Sequence, residues 1–338
     1  MSGNRRWLAF VLGILCLANA HSLSAVTLDG FAAMGASETA GNDVTGSWVP
    51  YAQIDRGLNF GGPGYPYNVA VGGATTVTLL QQQQHTQVAS LVQSGAVDMA
   101  FISIGGNDFS AVSGQILTGS LSGAALVGWA QGVVDNIDTA VDTVLAQHPV
   151  GMVVASMPDV PLTPAGRASF DSPTKLARGE TAVNDVNTIL LAAVQTRHLV
   201  YADLANALRY LDSKPLVVGG VAIDMLNPST DATHFFQDGK HPAAVGNGLF
   251  ANLFLEALNI GYGTNYSLLS DLDILTAAGL QASYTGETSN IPYANFVVSA
   301  VPEPGCGTLA AAAVVLYGFI NLRARRTVNS PSTSNVKR

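Results

Sequence analysis

The chain has 338 residues, 48% of them hydrophobic and 11% charged, with a formal net charge of −8. Two of the 15 Lys and Arg precede Val26 and five follow Pro304, so the body between keeps eight against all 23 Asp and Glu, a formal −15. Such a body repels nucleic acid and anionic lipid headgroups, and with only Cys16 and Cys306, both near the ends, it holds no disulfide, thiol nucleophile or cysteine metal site.

In chain order, Arg5 and Arg6 precede an apolar run from Trp7 to Ala18 and small residues through Ala25. Residues 1–25 thus read as a secretory signal peptide, with cleavage after Ala20 or Ala25 and a retained signal anchor as the alternative. Strands are predicted near Gly30–Met34, Tyr67–Val71, Val97–Ile104, Gly151–Ser156 and His198–Ala202. They alternate with helical patterns, which favours a mostly parallel sheet covered on both faces. Leu126–Leu145 carries apolar residues at Ala130, Val133, Val134, Ile137, Ala140, Val141 and Val144, one face of an amphipathic helix. Thr181–Thr196 repeats that spacing, and a last long helix is predicted just after Pro242. Gln81–Gln84 reads as polar helix surface. Residues 264–300 read as a short helical addition and linker.

Four stretches carry residues suited to chemistry. Phe31–Met34 leads into Gly35-Ala36-Ser37-Glu38, which sets a serine at a small-residue corner. A serine at the C-terminal end of a strand is placed as a nucleophile is, although helix N-caps favour serine too. Asn68–Val71 ends in Gly72-Gly73, where backbone N–H groups approach a ligand with no Cβ in the way, or the chain simply turns. Phe101–Ile104 runs into Gly105-Gly106-Asn107-Asp108, and an asparagine amide at a strand end is a donor for a developing oxyanion. Last, Asp231-x-x-His234 and Asp238-x-x-His241 both offer a carboxylate three residues before an imidazole. In such a pair the carboxylate orients the ring and the far nitrogen is left to take a serine proton. Asp238 and His241 are favoured, since Gly239 permits a tight turn and Pro242 opens the next helix; Asp231 and His234, or a metal held by both pairs, remain alternatives. Glu38 reads as a solvated surface residue, with a substrate-contacting role as the alternative.

Ser37, the glycine pair, Gly105–Asp108 and Asp238–Pro242 occur in an order that resembles the GDSL/SGNH hydrolases over Val26 to about Gly263. The resemblance implies a three-layer α/β/α, flavodoxin-like sandwich with a mostly parallel five-stranded sheet. It also implies a serine esterase: Ser37 as nucleophile, His241 as general base, Asp238 orienting it, and an oxyanion hole from the N–H groups of Ser37 and Gly73 (or Gly72) and the Asn107 side chain. No metal or organic cofactor is implied. The substrate would be a small-molecule or polysaccharide ester, with short acyl, lipid and sugar O-acetyl groups all open. The family's usual Gly-Asp-Ser-Leu is here Gly35-Ala36-Ser37-Glu38, so the aspartate that helps fix the nucleophile loop is replaced by Ala36. A catalytically inactive, surface-displayed binding module on the same fold is the competing expectation.

At the far end, Val301-Pro302-Glu303-Pro304, the uncharged stretch Gly307–Leu322 and Arg323, Arg325 and Arg326 together resemble a PEP-CTERM sorting signal. That resemblance implies handling by an exosortase-type enzyme during export; an ordinary C-terminal transmembrane anchor is the alternative. The expected organisation is therefore a signal peptide over 1–25, a hydrolase domain over 26–263, an addition over 264–300, a sorting segment over 301–326 and a polar tail over 327–338. The product would be exported to the periplasm, the cell surface or beyond, touching membrane only through its ends.

Overall fold

The computed structural model describes residues 28–41 and 46–301. The expected signal peptide and the sorting segment beyond Val301 lie outside the described residues. Among the described residues, no helix is long and apolar enough to cross a membrane.

The architecture follows from short, continuously apolar strands. β1 (Phe31–Gly35), β2 (Met99–Ser103), β3 (Gly151–Ala155) and β4 (Val200–Ala202) are parallel neighbours in that order. Side chains alternate between the faces of a strand, so a strand buried on both faces must be apolar at every position. Ala32, Met34, Ala100, Ile102, Met152 and Val154 enter one core. There they meet the predicted amphipathic helices, Gly123–Leu145 and Pro173–Thr196, together with Gln84–Gln93. The opposite parity sends Phe31 and Phe101 into an aromatic cluster with Trp48, Phe60 and Phe254, the last from the helix Ala244–Tyr262. The result is a three-layer α/β/α sandwich.

Two of its edges differ from the sequence reading. The sheet has five strands, but the fifth is Val297–Ser299, here β5, which pairs antiparallel with β4 at the register Tyr201↔Val298. The segment read as a linker thus supplies an edge strand, in three residues too short to show a period. At the other edge, the expected strand Tyr67–Val71 forms only one parallel bridge, Ala33↔Asn68. Ala33 N–H donates to Tyr67 O (3.1 Å), Val69 N–H to Ala33 O (2.8 Å) and Val71 N–H to Gly35 O (3.2 Å). A full ladder would also send Gly35 N–H to Val69 O, but that donor goes to Gln84 Oε1 at 2.9 Å. A side chain has taken the place of a strand acceptor. With this segment counted, the five parallel strands lie in the flavodoxin-like order 2-1-3-4-5, antiparallel β5 extends the far edge, and the switch point falls between β1 and β2.

Candidate active site

The C-terminal ends of β1 and β2 converge at that switch point, where open α/β sheets bind ligands. Gly35 makes the approach possible. A Cβ there would sit 2.0 Å from Ser103 O, and its φ of +147° is one that L side chains rarely adopt. Ala36 N–H then donates to Ser103 O (3.2 Å), and the chain turns into a four-residue helix, Ser37–Ala40. Ser37 opens that helix with its Oγ facing the loop before Ala244–Tyr262.

From that loop His241 reaches back across the sheet end. Its Nε2 lies 2.7 Å from Ser37 Oγ, and its Nδ1 lies 2.7 Å from Asp238 Oδ2. Asp238 Oδ1 accepts the backbone N–H groups of Lys240 (3.1 Å) and His241 (2.9 Å), so one carboxylate holds both the turn and the ring. Burial tends to raise the Asp238 pKa, but the N–H and ring donors of His241 and the Lys240 N–H outweigh it and hold the carboxyl below its ordinary value. Phe235 and Phe236, both buried, anchor the loop, and Ala243 N–H closes it onto Phe235 O at 2.7 Å. The expected decoy is resolved by distance. His234 Nε2 faces Asp224 Oδ2 at 3.7 Å, Asp231 is occupied by Thr233, and neither borders the cavity beside Ser37. Among the described residues, no three His, Cys, Asp or Glu side chains are grouped to hold a metal ion.

Asn107 stands in the first turn of the helix Gly106–Thr118 after β2 and borders the same cavity as Ser37 and His241. One N–H of its amide donates to Ala74 O (2.9 Å), which ties the Gly72–Ala74 turn to the end of β2. Gly73 sits exposed on that turn with a φ of +79°, beside the cavity wall rather than in it. Asp108 secures the turn from behind: it is buried and accepts Thr76 N–H (2.9 Å) and Thr76 Oγ1–H (2.7 Å), while Asn136 donates to the same hydroxyl (3.1 Å). Burial pushes the Asp108 pKa up, against those Thr76 bonds. The structure therefore brings Ser37, Asn107 and His241 to one cavity with Asp238 behind the His241 ring, and leaves Gly73 outside its lining, one residue from the carbonyl that Asn107 holds.

Two residues of this site escape the sequence reading. Gln84, fully buried, accepts Gly35 N–H two residues before Ser37 and in turn donates to Gln82 Oε1 (3.0 Å). It fixes the nucleophile turn from a position unrelated in sequence to the absent aspartate. Glu38 is half-buried rather than a solvated surface residue: Ser103 Oγ donates to its Oε1 at 3.0 Å, and it borders the cavity. Burial raises its pKa, opposed by its own backbone N–H, the Ser103 hydroxyl and the nearby His241.

Residues 33–247 match the model of the GDSL-like lipase/acylhydrolase family. The chain belongs to that family and is an ester-bond hydrolase. Among solved structures it resembles an extracellular lipase from Streptomyces rimosus at 18% identity and a TM-score of 0.44, covering 68% of this chain and 98% of that one. It resembles the acetylxylan esterase Axe2 from Geobacillus stearothermophilus at 14% identity and a TM-score of 0.44, covering 69% and 95%. A gut microbial diltiazem-metabolizing enzyme shares 15% identity at a TM-score of 0.45; 70% of this chain is covered, but it spans only 49% of that enzyme. No curated protein sequence matches the chain.

Proposed function

We propose that the chain is an exported serine esterase that hydrolyses carboxylic esters through an acyl-enzyme intermediate. The observation that carries this reading is the continuous relay Asp238–His241–Ser37, with both links at 2.7 Å. His241 Nε2 takes the Ser37 proton as Oγ attacks the ester carbonyl, and Asp238 holds the ring and stabilises the imidazolium that forms. Negative charge then develops on the carbonyl oxygen. Ser37 N–H, Gly73 N–H and the Asn107 amide N–H not engaged by Ala74 are the donors for it. His241 returns the proton to the departing alkoxide. A water, deprotonated by the same nitrogen, then releases the acid from Ser37. No cofactor enters any step.

The cavity beside Ser37 holds about 80 Å³ and opens to solvent. A short acyl group fits within it and a long lipid chain would have to extend out of it, which supports the short acyl group. Its walls combine Val160, Leu204, Phe236 and Phe250 with the polar groups already described. For delivery, we take residues 1–25 as an export signal and 301–326 as a sorting segment handled by an exosortase-type enzyme. The acidic body would then work in the periplasm, at the surface or outside the cell, with membrane contact only through its ends.

The test is hydrolysis of a short-chain p-nitrophenyl ester by the purified full chain beside Ser37→Ala and His241→Ala. Each variant is expected to lose roughly 10³-fold or more in kcat/KM. Undiminished activity in either overturns the mechanism, and an inert parent chain points instead to the binding module.

A further inference from the structure

A carboxyl group beside an apolar reaction pocket is costly unless something hydrogen-bonds it. Glu38 is such a group. Its Oε1 is held from beneath by the buried Ser103 hydroxyl at 3.0 Å, and the residue borders the cavity that Ser37 and His241 share. Among the described residues, no Lys or Arg forms an ion pair with it, and no side chain but Ser103 donates to it. The other walls of the cavity are largely apolar, with Val160, Leu204, Phe236 and Phe250 facing the same space. The carboxyl is therefore held by Ser103 and by its own backbone N–H, and its two oxygens keep lone pairs for a further donor from the cavity.

We propose that Glu38 is a specificity-determining residue that accepts a hydrogen bond from a hydroxyl of the bound ester, so that the enzyme selects short-chain esters of polyhydroxy alcohols such as sugars. The assignment rests on the esterase reading above and adds the class of alcohol to it. An ester with no hydroxyl desolvates the carboxyl and returns nothing. A site that hydrogen-bonds a substrate hydroxyl rejects the analogue lacking it far more strongly than an apolar pocket rejects a changed chain length. The small cavity suits the acyl group, and the carboxyl reads the hydroxyls of the other half.

The experiment holds the acyl group constant and varies the alcohol. The purified full chain and its Glu38→Leu and Glu38→Gln variants are assayed on mono-O-acetyl methyl glucoside, on cyclohexyl acetate and on p-nitrophenyl acetate. The parent is expected to prefer the sugar ester over cyclohexyl acetate in kcat/KM by about tenfold or more. Glu38→Leu, which removes the acceptor, should cut that ratio by about tenfold, while Glu38→Gln, which keeps an acceptor oxygen, should hold it within about threefold. A parent with no preference, or a ratio unmoved in Glu38→Leu, overturns the assignment while leaving the esterase reading intact. Should Glu38→Leu fail to fold, the parent's own ratio still decides. No turnover of any of the three esters defeats the esterase reading and this assignment with it.

Discussion

The nucleophile and the base are held by opposite kinds of structure. Ser37 stands on an arm fixed by long-range bonds: Ala36 N–H to Ser103 O, Gly35 N–H to Gln84, and Gly35 pressed against β2. His241 stands on a loop with one long-range tie, Ala165 N–H to Gly239 O (3.0 Å), and a local brace in which Asp238 grips two backbone N–H groups and the ring within a span of four residues. The first arm is buried in the sheet, whereas Asp238 keeps 49% of its side chain exposed. A rigid nucleophile facing a locally braced base needs the sheet for only one side of the relay. It follows that damage to the base's arm should cost chemistry and spare the fold, while damage to the nucleophile's arm should cost both.

The largest effect tests the local arm. Asp238→Ala frees the His241 ring and removes the acceptor for two N–H groups that solvent can reach. We expect kcat to fall by roughly 10²–10⁴-fold. The fold should lose no more than about 1 kcal/mol, the worth of exposed turn hydrogen bonds. A steady-state assay beside a urea melt reads both. A large loss of stability with modest loss of rate would show that the loop is a structural brace of the domain instead.

The buried arm gives the next effect. Gln84→Leu fills the same space but strands Gly35 N–H, and an unsatisfied buried donor costs about 1–3 kcal/mol. The turn that aims Ser37 is no longer pinned, so kcat should fall by about tenfold with KM little changed. Urea unfolding and the split between kcat and KM check the two halves. If stability falls while kcat holds, Gln84 braces the sheet edge without positioning Ser37.

The same contrast explains what the sequence discloses. The Asp238–His241 pair is local, so its spacing is legible in the string, and so is Ser37 at the end of an apolar run. The buried strands and the faces of Gly123–Leu145 and Pro173–Thr196 are legible for the same reason: a short continuous apolar run and a period of 3.6 are local properties. What is hidden depends on partners far away in the chain. Four consecutive glutamines carry no mark that Gln84 alone is buried and 49 residues from the amide it serves. β5 is three residues at the end of a segment rich in Ser, Thr and Asn, too short an apolar run to mark a strand without its register with β4. Glu38 reads as solvated because a charge usually is; the Ser103 hydroxyl 65 residues on gives it a place inside.

The smallest effect turns on charge, and the two arms should answer pH with opposite signs. Asp238 is depressed, so its contribution to stability is present above the ordinary carboxylate range and is lost as pH falls through its lowered folded value. Glu38 is raised, chiefly by burial, so its contribution is complete below the ordinary range and is lost as pH rises through its elevated folded value. Above that value the folded protein carries a desolvated carboxylate beside Ser37, a cost that Glu38→Gln removes while leaving Ser103 an oxygen to donate to. The Tm of Glu38→Gln relative to the parent should therefore rise with pH across that window and then level off. Below the ordinary carboxylate range the two melting temperatures should coincide. An offset that is the same at every pH would mean the substitution acts through packing, and the charge on the nucleophile's arm would then carry no stability cost.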